Sequence, residues 1–332
     1  MNTMKHTTLI LISLFFILSC ATKNELISTV TEQRLESFSV SDGSGNLIQS
    51  VSIIYNDLNK PSEIQANSTE GDLLNRTTME YTESGKLATI KNSSDELKYI
   101  KTEYHYDDSD FLVKVLSKNE TESILGSSTY INDEKGNPVE WMSQYRRGNE
   151  KIHFIMEYDD QGQLIKTSEL DEKEETIYYS VSQYDESGNE ISYTIYSPEG
   201  QIDQQLLSFY RENVLSRTEI RDETGLILYK TVYELNEWKK PSRITSYNQY
   251  EDINDYVEIT YDERGNEHIR KSFDHEGNLQ EKIVKEYDSE NNNREMTIYD
   301  EKDKIVSVTR NVFVNKPLNM TEEEFNALVF TF

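Results

Sequence analysis

The chain has 332 residues and a formal net charge of -27, with Lys+Arg 34 against Asp+Glu 61. An acidic surface of that size repels nucleic-acid phosphates and anionic headgroups and favours cations or basic partners, so a nucleic-acid-binding role is excluded. Hydrophobic content of 35% and a mean hydropathy of -0.74 argue against a thick globular core, while 22 Tyr argue against disorder.

The first element is an export signal. Lys5 and His6 precede the apolar run Leu9 to Leu18, followed by Ser19 and Cys20. Ten apolar residues reach about 15 Å as a helix, half the thickness of a bilayer core, so this is not a transmembrane span. Ile17-Leu18-Ser19-Cys20 resembles the lipobox of bacterial lipoproteins. That resemblance implies cleavage after Ser19, diacylglycerol and palmitate attachment at Cys20, and residence in the cell envelope, at the outer membrane if the cell has one. Cys20 is the chain's only cysteine, which leaves an exported protein no internal disulfide to form. Residues 1–19 are thus expected to be the signal and 20–36 a lipidated N-terminus and tether.

From residue 37 to 313 a turn signature recurs: an aromatic, an acid or Asn, two unrestrained positions, then Gly or Asn. Tyr55-Asn56-Asp57-Leu58-Asn59, Tyr81-Thr82-Glu83-Ser84-Gly85, Tyr158-Asp159-Asp160-Gln161-Gly162, Tyr184-Asp185-Glu186-Ser187-Gly188 and Tyr261-Asp262-Glu263-Arg264-Gly265 are examples. Asp or Asn at the first corner and Gly or Asn where φ is positive specify a type I turn closing on a left-handed residue, a common hairpin connection. Successive strong copies are 26 residues apart, with weaker turns halfway, at Lys118-Asn119-Glu120 and Leu170-Asp171-Glu172 among others. Each 26-residue unit therefore holds two strands and two reversals. The predicted fold is all-β, an up-and-down antiparallel repeat sheet of about twenty strands.

Between turns the residues alternate with a period of two. In the stretch Leu279 to Tyr287, Leu279, Glu281, Ile283, Lys285 and Tyr287 share one face, and Gln280, Lys282, Val284 and Glu286 the other. Neither face of that strand is cleanly apolar, and a two-layer sandwich would bury charges at several kcal/mol each. A single-layer sheet, twisted or curled, with Tyr, Leu and Ile on a narrow inner face, is the expectation. After Asn311 the register ends. Pro317 breaks the pattern, and Thr321 to Glu324 form a capping box opening a short helix through Phe325 and Leu328. Residues 314–332 are expected to cap the last strand edge, which would otherwise recruit another chain. A terminal Phe is also similar to outer-membrane barrels, but strands such as Gly265 to Phe273 offer no apolar lipid face.

The repeat resembles the YD or Rhs family, whose units read Tyr-Asp-x-x-Gly-x-Leu. Tyr81 to Leu87 and Tyr158 to Leu164 carry it, and Gly277-Asn278-Leu279 its second half. The resemblance implies a coiled repeat sheet and, by analogy with surface proteins bearing such repeats, glycan or protein binding. No toxin domain or self-cleavage motif accompanies it, so the cargo-shell function of large members is not implied.

No catalytic constellation emerges. His105, His153, His268 and His275 show no metal or nucleophile-base spacing. The acid clusters Asp107-Asp108-Asp110 and Asp159-Asp160 lack calcium-loop spacing and are explained by turn geometry. No metal and no cofactor is expected. Aromatic candidates for stacking on a ligand are Trp141, Trp238, Tyr158, Tyr184, Tyr261 and Tyr287, with cross-strand ladders as the alternative role. The leading expectation is a membrane-anchored envelope lipoprotein whose repeat sheet is a noncatalytic binding or scaffolding surface for an envelope or extracellular protein or glycan. An envelope enzyme acting on polysaccharide and an immunity or assembly lipoprotein for a secreted toxin are the alternatives.

Overall fold

The computed structural model describes residues 34–94, 99–145 and 151–314. These form 22 strands, from β1 (Arg34–Asp42) to β22 (Ile305–Val314), numbered in chain order. Strands run 7 to 10 residues and every consecutive pair is antiparallel. The expected signal, the expected lipidation site at Cys20, residues 20–33 of the expected tether and the expected C-terminal helix lie outside the described residues, whereas residues 34–36, expected as the end of the tether, belong to β1.

The hairpins form for the reason the sequence gives. At Tyr261 to Asn266 the Asp262 carboxylate accepts the amides of Arg264 (2.9 Å) and Asn266 (2.8 Å), the Gly265 amide closes on the Asp262 carbonyl at 3.0 Å, and Gly265 has φ 82°. Only a residue without Cβ adopts that φ at no steric cost. Asn59, Asp110 and Asp303 take the same conformation at φ 57°, 64° and 60°. One connection is tighter: β14 (Ile202–Arg211) and β15 (Val214–Asp222) are joined by Glu212 and Asn213, both at positive φ.

The sheet is not open. β1 pairs antiparallel with β22, from Arg34↔Val314 to Asp42↔Ser307, and the meander closes into a barrel. The expectation of a curled sheet with free edges is corrected accordingly. Neither terminal strand retains an edge, so there is none for residues 314–332 to cover. The driving force is plain: an open β1 and β22 would each leave a row of unpaired amides and carbonyls, and curvature accumulated over 21 hairpin pairings brings them within reach.

Followed strand to strand, the register returns to β1 displaced by about 22 residues, one per strand. A shear equal to the strand number sets a tilt of about 36° and, for a circular section, a diameter of about 40 Å. The molecule is a squat ring about 20 to 25 Å tall.

Barrel strands coil right-handedly, and with that hand the direction of the displacement makes the face bearing Val51, Ile53 and Tyr55 of β2 (Leu47–Tyr55) the inner one. The side chains agree. On the outer face ion pairs bridge neighbouring strands: Glu63 with Arg76 (2.8 Å), Glu103 with Lys118 (2.6 Å), Glu157 with Lys166 (2.7 Å), Glu258 with Arg243 (3.0 Å), and Glu295 with Arg310 (2.8 Å), and Glu103 also pairs within its own strand with Lys101 (2.7 Å). Among the described residues these pairs place charge on the outer face beside exposed apolar side chains such as Ile54 and Ile131. On the inner face the buried cluster is Val51, Ile53, Ile64, Ala66 and Met79, packed by Leu35, Phe38, Tyr55, Tyr81, Leu87 and Ile90.

Candidate functional site

The ring has two rims. Odd-numbered strands end at one, and even-numbered strands end at the other, where most of the repeat tyrosines stand. At this tyrosine rim the chain bulges as it enters each odd strand, and the ladder between that strand and the even strand following it stops short of the rim. The pairing of β3 (Pro61–Asn67) with β4 (Leu73–Tyr81) begins at Glu63↔Thr78, leaving the Pro61 carbonyl beyond it. The Tyr81 hydroxyl donates to that carbonyl at 2.6 Å. The same bond recurs with the residue 20 positions back from Tyr158 to Pro138 (3.0 Å), Tyr184 to Leu164 (2.9 Å), Tyr210 to Glu190 (3.2 Å), Tyr261 to Pro241 (2.8 Å) and Tyr287 to Glu267 (3.0 Å). Asn132 substitutes an amide, donating to Leu112 at 2.9 Å. The tyrosine of the repeat thus satisfies a backbone acceptor that the bulge leaves open.

Adjacent turns are also tied to one another around this rim. Lys60 donates to the Gly85 carbonyl at 2.6 Å, Arg264 to that of Asp288 at 2.6 Å, and Lys135 to that of Asp160 at 3.2 Å. Lys60 also lies 5.3 Å over the Tyr81 ring, and Lys240 5.4 Å over Tyr261. Of the sequence-predicted stacking residues, Tyr158, Tyr184, Tyr261 and Tyr287 all belong to this stitching. Trp238 lies in the turn before β17 (Pro241–Asn248), 46% exposed, edge-on to Tyr261 at 6.4 Å.

Trp141 is placed differently. It is half-buried on the inner face at mid-height on β9 (Pro138–Tyr145), between Tyr130 at 6.5 Å and Phe154 at 5.4 Å, with planes 16° and 6° from parallel. By register, Tyr104, Tyr178 and the thioether of Met156 stand on the same inner face as these rings. By register, the inner positions from β2 to β10 (Lys151–Tyr158) carry no charged side chain. From β11 (Leu164–Leu170) to β21 (Asn293–Tyr299) the inner face includes Glu169, Glu190, Asp255, Glu267, Arg270, Glu281 and Lys285. The sequence reading missed this division; the signal for it was present, since Asn75, Thr77, Met79 and Tyr81 alternate with Arg76 and Glu80 along β4.

Protonation follows the two faces. Burial pushes the inner-face carboxyls of Glu169 and Glu190 above the usual carboxylate range, and raises the hydroxyls of Tyr104 and Tyr178. One buried oxygen of Glu190 has no hydrogen-bond partner. On the outer face hydrogen bonds from Lys101 and Lys118 hold Glu103 down at about 2. Glu267 is the inner-face exception: Arg270 and Lys285 hydrogen-bond it and lower it despite burial.

The histidines are scattered. His153 meets Glu140 at 2.9 Å on the outer face, the His268 ring lies 2.9 Å from the Lys285 carbonyl, and His275 sits in an exposed turn. Asp107 and Asp159 accept their own turn amides at 2.8 Å, from Phe111 and Gln163. Among the described residues no group of three His, Cys, Asp or Glu is arranged to hold a metal ion. An open depression at the opposite rim is lined by Asn248, Asp252, Ile253 and His275, with Glu251 paired to Lys230 at 2.7 Å.

No family model and no curated protein matches the chain. Among solved structures, a TcdB2-TccC3 crystal structure without its hypervariable C-terminal region aligns at a TM-score of 0.31 and 12% identity, over 79% of this chain and 17% of that one. A porin-like protein from Bacteroides uniformis aligns at a TM-score of 0.29 and 12% identity, over 84% of this chain and 98% of that one. Likenesses this distant say nothing about what the chain does.

Proposed function

We propose that the protein is a lipid-anchored cell-envelope protein, attached through Cys20, whose ring is a noncatalytic binding or scaffolding body that offers its inner wall to a partner. The observation that carries this reading is the uncharged inner face from β2 to β10, aromatic at mid-height, behind an ion-paired outer face. A surface of that kind gains by burying apolar groups and loses by burying charge. The turn repeat, in its resemblance to YD or Rhs units, supports the same class of binding protein. Between protein and glycan, protein is favoured: Trp141 and Phe154 present their faces to one another, and sugars stack on open ring faces.

The test has two arms. Mass spectrometry of the protein from membranes should find an acylated Cys20 as the first residue, and Cys20→Ser should release the chain from the membrane. Partners captured from the envelope by the wild-type protein should be lost with Met156→Asp, inside the ring, and retained with Lys114→Ala, outside it. Equal capture by both variants, or turnover of envelope polysaccharide by the purified protein, would replace this reading.

A further inference from the structure

The two rims begin their strands differently. Where odd-numbered strands enter, at the tyrosine rim, Pro61, Leu87, Leu112 and Pro138 are buried or half-buried. Where even-numbered strands enter, at the opposite rim, Ile48, Leu74, Ile124 and Val306 are each about half exposed. Three more apolar side chains stand beside the open depression of that rim. Leu226, 51% exposed, precedes β16 (Ile227–Leu235); Tyr229 on that strand, 55% exposed, lies opposite Asn248 in the ladder; and Tyr250, 74% exposed, occupies the turn between β17 and β18 (Ile253–Tyr261). Among the described residues neither of these two tyrosine rings stacks on another and neither hydroxyl has a hydrogen-bond partner, whereas Tyr81, Tyr158 and Tyr184 at the far rim donate theirs. Acids surround the same spot. Glu223 and Glu276 are exposed at the tips of the flanking turns and Asp252 lines the depression, while the nearby Lys230 is already paired with Glu251 at 2.7 Å and His275 lies 3.8 Å from Glu276. Apolar rings held in water beside carboxylates favour a partner that brings both apolar surface and positive charge.

We infer that this part of the rim docks a basic protein, through a segment in which Arg or Lys alternates with apolar side chains. The apolar side chains of that segment cover Leu226, Tyr229 and Tyr250, and each tyrosine offers the large contact area and low ordering cost of an interface hot spot. Its cations meet Glu223, Asp252 and Glu276, and a guanidinium group can also lie on a tyrosine face. The turn is already set for this contact: Asn248 Oδ1 accepts the amides of Tyr250 at 2.8 Å and Asp252 at 3.1 Å, and Glu251 holds a φ of 68°. Little backbone has to be ordered on binding. A second copy of the ring is disfavoured as the occupant, since two such rims set acid against acid, and anionic lipid is repelled for the same reason. The site lies on the rim, apart from the inner wall, and does not rest on the partner proposed for that wall.

Fluorescence anisotropy of the full chain with three labelled peptides of equal length tests it: an Arg-Leu repeat, an Arg-Ser repeat and a Glu-Leu repeat. The Arg-Leu peptide should bind tightest, and its binding should weaken as salt is raised. Leu226→Ser with Tyr250→Ser should weaken that binding at least about tenfold. Asp252→Asn should weaken it several-fold, and Met156→Asp, inside the ring, should leave it unchanged. Equal binding of the Arg-Ser peptide would reduce the contact to charge alone and overturn the assignment. Equal binding of the Glu-Leu peptide, or wild-type affinity in both rim variants, would overturn it as well. So would self-association of the protein that Leu226→Ser with Tyr250→Ser abolishes, because the occupant would then be a second copy.

Discussion

The inner and outer faces of this ring are drawn from the same strands, residue by residue in alternation, yet they treat charge in opposite ways. Outside, Glu103 between Lys101 and Lys118 is stabilised as an anion, and its proton is lost at about 2. Inside, Glu169 and Glu190 are penalised as anions by burial. A carboxylate is thus an asset or a cost according to what faces it on its own side of a single layer, and Glu267, inside but hydrogen-bonded by Arg270 and Lys285, is stabilised as an anion although Glu169 and Glu190 are not. The wall separates two environments without a core in the usual sense.

The sharpest way to break that comparison is to empty the inner patch. Ile64→Ala should destabilise by about 2–5 kcal/mol in chemical denaturation, whereas Ile54→Ala, on the outer face and 49% exposed, should change stability by under about 0.5 kcal/mol. Equal effects would mean that the faces are not distinct. Next in size is the rim stitch: Tyr81→Phe removes the hydroxyl donor to Pro61 and should cost about 1 kcal/mol, with no loss for a Tyr250→Phe control that is 74% exposed.

The smaller effects sharpen it through pH. For Glu190 the folded pKa is raised, so the folded state binds more protons than the unfolded state, and stability falls as pH rises from the ordinary carboxylate value through the folded one. Glu190→Gln should therefore raise the melting temperature at pH 7 and leave it unchanged near pH 4. For Glu103 the folded pKa is depressed, so its contribution is present above about 4.5 and is lost as pH falls through about 2. Glu103→Gln should flatten that acid limb of a stability profile. If both variants shift the profile in the same direction, the two-face account fails.

Much of this was legible in the chain. The reversals were, because Asp262 or Asn56 at a corner and a left-handed residue three positions later encode a turn locally. Closure was not: it depends on a register displacement summed over every pairing, to which each hairpin contributes about one residue. The face assignment was missed by generalising from Leu279–Tyr287, a strand whose inner side carries Glu281 and Lys285. The tyrosines were seen as ladder or ligand residues, because a hydroxyl's partner 20 residues upstream leaves no mark beside the motif. Trp141 stands out in the sequence as an aromatic, but only the register places it on the inner wall with Phe154.

The antiparallel contact of β1 with β22 carries a rule about how such a molecule can change size. An up-and-down meander that bites its own tail antiparallel must contain an even number of strands, since an odd one would bring the last strand back pointing the wrong way. A genetic unit worth two strands preserves that parity whenever it is duplicated or lost, so homologous rings of 20 or 24 strands are admissible, while removal of a single strand would split the circle.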